Sequence, residues 1–575
     1  MINDTILKSY LNNFSENFSC TTDDESQQFE KFVNYIVFSR QYINKITPEV
    51  VESVSIGGGQ DAGFDGIGII VNGTLIQNVE QYDYFLKNGH SLNISFIFIQ
   101  SKARPHFKAS EVGNFYFGVC NFFNENSDIE ENSTIKKFRE IKEKIYNNAL
   151  NFDGNPKIYM YYATVGEWKS PADIIAREKK CIEALNNKKI FSQVNCQFID
   201  AEKLKVWFQE LKRKNVKQIL FKDKVALPDI SDVNQSFIGS LPMGEFITMI
   251  TDSDGNLQKT LFEDNVRHFQ GGNKVNKEIE ATLKNKEQDA LPIFNNGITI
   301  ITKKLEQIGN NLKLTDFQIV NGCQSAHIFF KNKDIINSNT NIIVKIIETT
   351  KQSLINKIIK ATNKQTLVTD EAFESLSNFH RDLEEYYYAK SKTITNPIFY
   401  ERRSKQYDDN PDIKATQIVT LAGQIQAYVA TVLAQPHSTH RYYGELLNSN
   451  REKLFSGSKY ENYYISSLIL NRLDSLFRTR KIHNKYKKFR FQIIYIAFCY
   501  FNELKQKDKK FNNESIIEML NSETEYLTVL KSCCDVIDEE LKKLPEKEKR
   551  EAYRVSKFTD SIRENIINQF NSQQA

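Results

Sequence analysis

At 575 residues the chain is too long for one ordinary hydrophobic core, and with 40% hydrophobic and 12% aromatic residues it is too apolar for a disordered one, so roughly two to four globular domains are expected. The formal net charge of +4, from 76 basic and 72 acidic residues, excludes a partner demanded by bulk charge, so any nucleic-acid binding has to be local. Eight scattered cysteines without a CxxC pair exclude a zinc cluster or disulfide framework; the apolar run at 491–501 is too short to span a membrane and MINDTILKSY does not read as a signal peptide, so a soluble, cytoplasmic protein is expected.

Residues 1–215 alternate helical and extended patterning. QQFEKFVNYIVFSRQYI carries apolar residues at helical spacing, and GFDGIGIIV and ISFIFIQ read as short buried strands. KIYMYYATV follows as another strand, then the helical ADIIAREKKCIEALNN and the strand-like VNCQFID. The order αββαβαβ predicts an α/β layer domain, with a glycine-rich turn at Gly57-Gly58-Gly59 leading into its strands. From 216 to 410, strands (SFIGSLPM, GITIITK, FQIV, NIIVKII) mix with helices (NKEIEATLKN, DEAFESLSNFHRDLEEYYYAK), which predicts a second α/β domain. From Pro411 onward, caps and charged faces over 412–435, 460–480 and 515–541 predict a helical C-terminal region. The expected fold class is α/β and multi-domain, divided as 1–215, 216–410 and 411–575.

Hydrolysis of a phosphodiester needs a hard cation held by oxygen ligands and a group that activates or orients water beside the scissile phosphate. GGGQDAGFDGIGI and FIFIQSK supply such groups. Asp65 stands at the start of one strand. Gln100 and Lys102 end the next, and their spacing of two puts both on one face, where a carboxylate from the neighbouring strand can join them. Asp61, in the same bend, is an alternative to Asp65 as the carboxylate. A shared water and cation require the tips of Asp65, Gln100 and Lys102 within roughly 6–8 Å of one another.

These residues resemble the PD-(D/E)xK nuclease motif, in the variant where Gln replaces the second acid, as in Mrr-like restriction endonucleases. The resemblance implies a restriction-endonuclease-like αβββαβ core, Mg²⁺ or Mn²⁺ as cofactor, Asp65 and Gln100 as metal ligands, and Lys102 as the group that stabilises charge or positions water. It also implies a catalytic role for Glu30, in the FEKFV stretch of the first long helix. A neutral amide binds Mg²⁺ less strongly than a carboxylate, so weak or single-metal occupancy follows.

Six runs over about 260–410 (LFEDNVRHFQG, VNKEIEATL, FNNGITI, FQIVNGCQSAHIF, KATNKQTLV and FYERRSKQY) resemble, in order, the blocks of the abortive infection phage resistance family, AIPR. That resemblance implies a bacterial role in phage defence. The runs are rich in amides and guanidinium groups: Asn265, Arg267, Asn295, Asn296, Asn321, Gln324, Asn363, Gln365, Arg402 and Arg403. Amides pair with adenine edges and Arg grips phosphate, which suits a nucleic-acid or nucleotide pocket. Equally, Asn-Gly at 296–297 and 321–322 marks tight turns whose amides bond local backbone.

A further basic run, RTRKIHNKYKKFR at 478–490, includes Lys485, Lys487, Lys488 and Arg490 and interleaves Tyr486 and Phe489 with no acid. It reads either as a phosphate-neutralising stripe with bases stacked on the rings or as a solvated helix face. His437 and His440 lack a partner at ligand spacing, and no Walker-type phosphate cradle occurs. Together these features predict a Mg²⁺-dependent endonuclease of nucleic acid, with DNA the expected substrate and a homodimer suited to double-strand cleavage. The alternative, kept open by Gln100, is a non-catalytic nucleic-acid or nucleotide sensor, or an interaction protein of a defence complex.

Overall fold

Two helices open the chain, α1 (Thr5–Asn17) and α2 (Glu25–Gln41). The Asp24 carboxylate caps α2 by accepting from Gln27 N at 2.9 Å, and Phe29, Phe32, Val33, Ile36 and Val37 form its buried stripe. In the computed structural model, the residues described are 2–42, 45–87, 91–262, 274–285, 287–362, 378–402, 406–407, 410–455 and 459–572. They fold as a mixed α/β chain in two units, one formed by 1–14 with 23–369 and the other by 15–22 with 370–575.

After α3 (Pro48–Val54) comes a five-stranded sheet built from β1 (Gly66–Val71), β2 (Thr74–Ile76), β3 (Ile94–Lys102), β4 (Lys157–Thr164) and β5 (Gln193–Ile199). The spatial order is β2-β1-β3-β4-β5. β1 is antiparallel to both neighbours, whereas β3, β4 and β5 run parallel. Parallel neighbours need crossovers: α5 (Ala109–Phe122) and α6 (Ser133–Asn147) join β3 to β4, and α7 (Ala172–Asn187) joins β4 to β5, with α8 (Ala201–Lys212) following. β1 is buried at every residue, which is why it reads as a continuous apolar run. Relative to the expected αββαβαβ succession, the chain inserts β2 and α4 (Val79–Lys87) between β1 and β3. Phe64, Ile67, Phe96, Phe98, Phe115, Met160 and Tyr162 lie at the centre of this core.

A second sheet follows, of β6 (Val216–Leu220), β7 (Asp223–Ala226), β8 (Gln235–Pro242), β9 (Ile298–Ile308), β10 (Asn311–Asn321) and β11 (Asn341–Glu348). Its order is β6-β10-β9-β11-β8-β7, and β9 with β11 forms its parallel pair. The pattern change near 216 therefore separates two sheets, both of which lie in the first unit. Arg40 of α2 ties them, pairing with Glu210, with Asp252 at 2.6 Å and with Asp254 at 2.8 Å while lying over the Trp207 ring.

The second unit is mostly helical, with long helices at Tyr460–Arg478, Arg490–Lys507 and Glu523–Lys542 around a core that includes Tyr387, Ile425, Tyr463, Leu468 and Ile494. In the region expected to be almost entirely helical, Ile418–Thr420 is a short β-branched strand that pairs in parallel with Phe399–Glu401. Among the described residues no helix is long and apolar enough to cross a membrane.

Candidate functional site

The register of β1 on β3 sets Gly66 against Ile99, so Asp65, one residue before, falls beside Gln100. The Asp65 amide donates to Ile99 O at 2.8 Å, and its carbonyl accepts from Ile56 N at 3.1 Å and from Asn34 Nδ2 at 3.0 Å. Gly66 makes that last bond possible: a Cβ there would lie 2.9 Å from Asn34 Cγ, too close for any side chain. The backbone on both sides of Asp65 is thus pinned before its side chain is considered.

The Asp65 carboxylate is buried and collects donors. Oδ2 accepts from Gln100 Nε2, from Ser101 N at 2.7 Å and from Lys102 Nζ at 3.4 Å. Burial holds this acid above the usual carboxylate range, against the opposing pull of Lys102 and the Ser101 amide, and the charge of Asp61 adds to the rise. Asp61 is itself committed to the bend, accepting from Gly63 N at 2.9 Å. Of the two carboxylates left open by the sequence, Asp65 is therefore the one that meets Gln100 and Lys102.

Glu30 lies on α2 one turn before Asn34, hence on the same helix face. Burial, and then the charge of Asp65, push its carboxyl up to about 7, with Lys102 pulling the other way. Two carboxylates, with the Lys102 ammonium acting on both, form a pocket with surplus negative charge once both ionise. Among the described residues no group of three or more His, Cys, Asp or Glu is arranged to hold a metal ion. Two carboxylates and an amide oxygen nevertheless fit the donor chemistry of Mg²⁺, which keeps several waters and takes one or two protein carboxylates.

Sequence reasoning missed Ser101, which gives Asp65 its backbone N–H and, at 3.4 Å, its hydroxyl, and Asn34, whose side-chain amide holds the Asp65 carbonyl. It also missed Tyr162 on β4, which pairs in register with Gln100 and donates from its hydroxyl to Glu111 of α5 at 3.4 Å.

The remaining candidates are placed elsewhere. Asn295 closes a turn, accepting from Gly297 N at 2.9 Å and donating to Ser325 Oγ at 3.1 Å, as the local-backbone reading requires. Asn296 is exposed in that turn. Asn321 ends β10, Gly322 follows at φ +93°, and Gln324 lies in the first turn of the helix Cys323–Lys331. Asn265, Arg267, Asn363, Gln365 and Arg403 lie outside the described residues. Arg402 is not available as a phosphate grip: its guanidinium is buried and donates to Glu384 at 2.9 Å.

The basic run at 478–490 is neither a helix face nor a stacking stripe. The helix Tyr460–Arg478 ends there, Arg480 turns at φ +57°, and Asn484–Phe489 forms a short 3₁₀ turn that contains Lys485, Lys487 and Lys488. Lys481 pairs with Glu523 and Lys485 with Asp538 at 3.0 Å, while Lys488 Nζ donates to Arg550 O at 3.2 Å. Arg490 begins the next helix, 3.9 Å from Asp474. Phe489 is buried in the helical core, and the half-buried Tyr486 donates from its hydroxyl to Asp538 at 2.6 Å. His437 Nδ1 lies 3.2 Å from Thr559 Oγ1.

No curated protein and no solved structure matches the chain. Residues 262–547, a stretch that includes both Asn-Gly pairs, match the model of the family described as AIPR protein.

Proposed function

We propose that Asp65, Gln100, Lys102 and Glu30 form a metal-dependent phosphodiesterase site acting on nucleic acid, within a phage-defence protein. The observation that carries this reading is the convergence of Gln100 and Lys102 on the buried Asp65 carboxylate across two neighbouring strands. The AIPR segment supports the defence role. The chain order helix, β1, β2, β3, helix, β4, with α4 inserted, is compatible with an αβββαβ core.

In this reading Asp65 and Glu30 hold Mg²⁺ or Mn²⁺ together with the Gln100 amide oxygen. A cation held there would supply neutralisation of the phosphate charge and a bound water easier to deprotonate. Half a turn of the Gln100 amide replaces Nε2 by Oε1 on the side that faces Asp65. Lys102 offsets negative charge that grows on the phosphoryl oxygens, and the burial of Asp65 and Gln100 makes each such interaction stronger than in open water.

The test is incubation with plasmid DNA and, separately, RNA, in Mg²⁺, Mn²⁺ or EDTA, for wild type, Asp65→Ala and Lys102→Ala. Cleavage that requires the cation and falls by about 10²–10³ in each variant is expected. Cleavage unchanged in both variants overturns the site. A second reading rests on the same Gln100–Asp65 contact, in which the amide satisfies the carboxylate without a cation. The chain is then a nucleic-acid sensor, and salt-dependent binding without cleavage under any condition would favour it.

A further inference from the structure

The chain leaving β3 reads Lys102-Ala103-Arg104-Pro105-His106-Phe107-Lys108, with a basic residue at every second position and apolar residues between. The apolar members are anchored. Phe107 packs against Trp168, Phe198 and Tyr162 with ring centroids 4.8, 5.8 and 6.0 Å away, and Trp168 stacks on Phe198 at 3.9 Å. Pro105 lies on Gly166, where a Cβ would sit 2.5 Å from the Pro105 carbonyl carbon. The backbone of this segment is therefore fixed from beneath.

Three of its four basic members face outward. Arg104, His106 and Lys108 are exposed, and Lys102 reaches Asp65 from the strand end. One acid, Glu111, gathers the outer two cations. Its Oε1 lies 2.7 Å from the Arg104 guanidinium and 3.8 Å from Lys108 Nζ, while Oε2 accepts from Tyr162. Tyr162 in turn is the register partner of Gln100, so the segment is coupled through β4 to the strand that carries the site.

We infer that residues 102–108 form a rigid basic lip that grips the sugar–phosphate backbone of a nucleic-acid strand and leads it to Asp65. This rests on the reading that the pocket acts on nucleic acid. Asp65, Glu30 and Asp61 would repel an anionic substrate, and the lip supplies the opposing charge at the mouth of the pocket. Exposed ion pairs such as Arg104–Glu111 are weak, so a phosphate can take over the guanidinium, and Arg offers two parallel donors to it. Because Phe107 and Pro105 already hold the backbone, little ordering is left to be done on binding.

The test measures binding of the full chain in EDTA, by anisotropy, to a labelled DNA duplex, a single-stranded DNA and an RNA. Wild type is compared with the double variant Arg104→Ala/Lys108→Ala, each also carrying Trp207→Phe so that the emission of Trp168 alone checks that the lip's anchor is intact. Loss of two phosphate contacts is expected to flatten the dependence of log K on log salt by about 1.8 for duplex or about 1.4 for single strands. For duplex, the wild-type advantage then shrinks about twelvefold between about 50 and about 200 mM salt, alike for unrelated sequences. An unchanged slope and affinity on all three probes, or no binding by wild type, overturns the lip. A changed slope without cleavage in Mg²⁺ or Mn²⁺ supports the lip and defeats the catalytic reading; cleavage by both proteins with equal slopes does the reverse.

Discussion

Removing the charge of Glu30 tests the electrostatics of the pocket without touching its shape. Burial and the Asp65 charge push this carboxyl from an ordinary 4.5 to about 7. The folded chain therefore holds a proton that the unfolded chain has released across that interval, so stability falls as pH rises from about 4.5 to about 7 and is level above it. At ~1.4 kcal/mol per pH unit the interval corresponds to about 3 kcal/mol, and because Glu30 keeps part of its surface in water, screening brings this to roughly 2 kcal/mol. Glu30→Gln is expected to be more stable than wild type by roughly 2 kcal/mol at about pH 8 and equal to it near pH 4.5. Urea unfolding followed by tryptophan emission reports on the right unit, since Trp168 and Trp207 are the chain's two tryptophans and both lie in the region of the first sheet. Added Mg²⁺ should narrow the gap at the higher pH by stabilising the charged pair in wild type. An equal difference at both pH values, or a less stable variant at the higher one, refutes the reasoning.

Two further outcomes follow from packing. Gly66→Ala drives a methyl group into Asn34 and breaks its bond to the Asp65 carbonyl, so a loss of about 1–3 kcal/mol is expected in the same urea experiment, and unchanged stability would show that Asn34 moves freely aside. Arg402→Ala removes the cation from Glu384 in the second unit, leaving it the Gln406 amide, and should cost about 1–3 kcal/mol, seen as a lower thermal midpoint by circular dichroism, while nucleic-acid affinity stays at the wild-type value.

The pairing of Gln100 with Lys102 was legible because alternation along a strand is a rule of geometry, and β3 is a strand through Lys102. The choice between Asp61 and Asp65 was not legible, since it is settled by the turn that uses Asp61 to hold Gly63 N. Backbone donors such as Ser101 N leave no signature in a sequence. The hairpin into β2 does leave one, Asn72-Gly73 between Val71 and Thr74, but the strand beyond it is only three residues long, too short to show a period of its own. At 478–490 the run of basic residues suggested a surface stripe, whereas Ile482 and Phe489, both buried, are what fix that segment to the core. Charge drew attention there, but the two apolar residues decide the conformation.

Asp65 is at once the first rung beyond β1 and the acceptor for three residues of β3. Pairing from Gly66–Ile99 to Val71–Ile94 is uninterrupted, and a slip of one residue would turn Gln100 and Lys102 to the opposite face. The part of the pocket built from β1 and β3 thus has no partly assembled setting: it exists whenever the sheet exists. A cell that needed to keep chemistry there silent could not do so by loosening the pocket a little. Restraint would have to govern arrival, by withholding the cation, covering the mouth or holding back the strand.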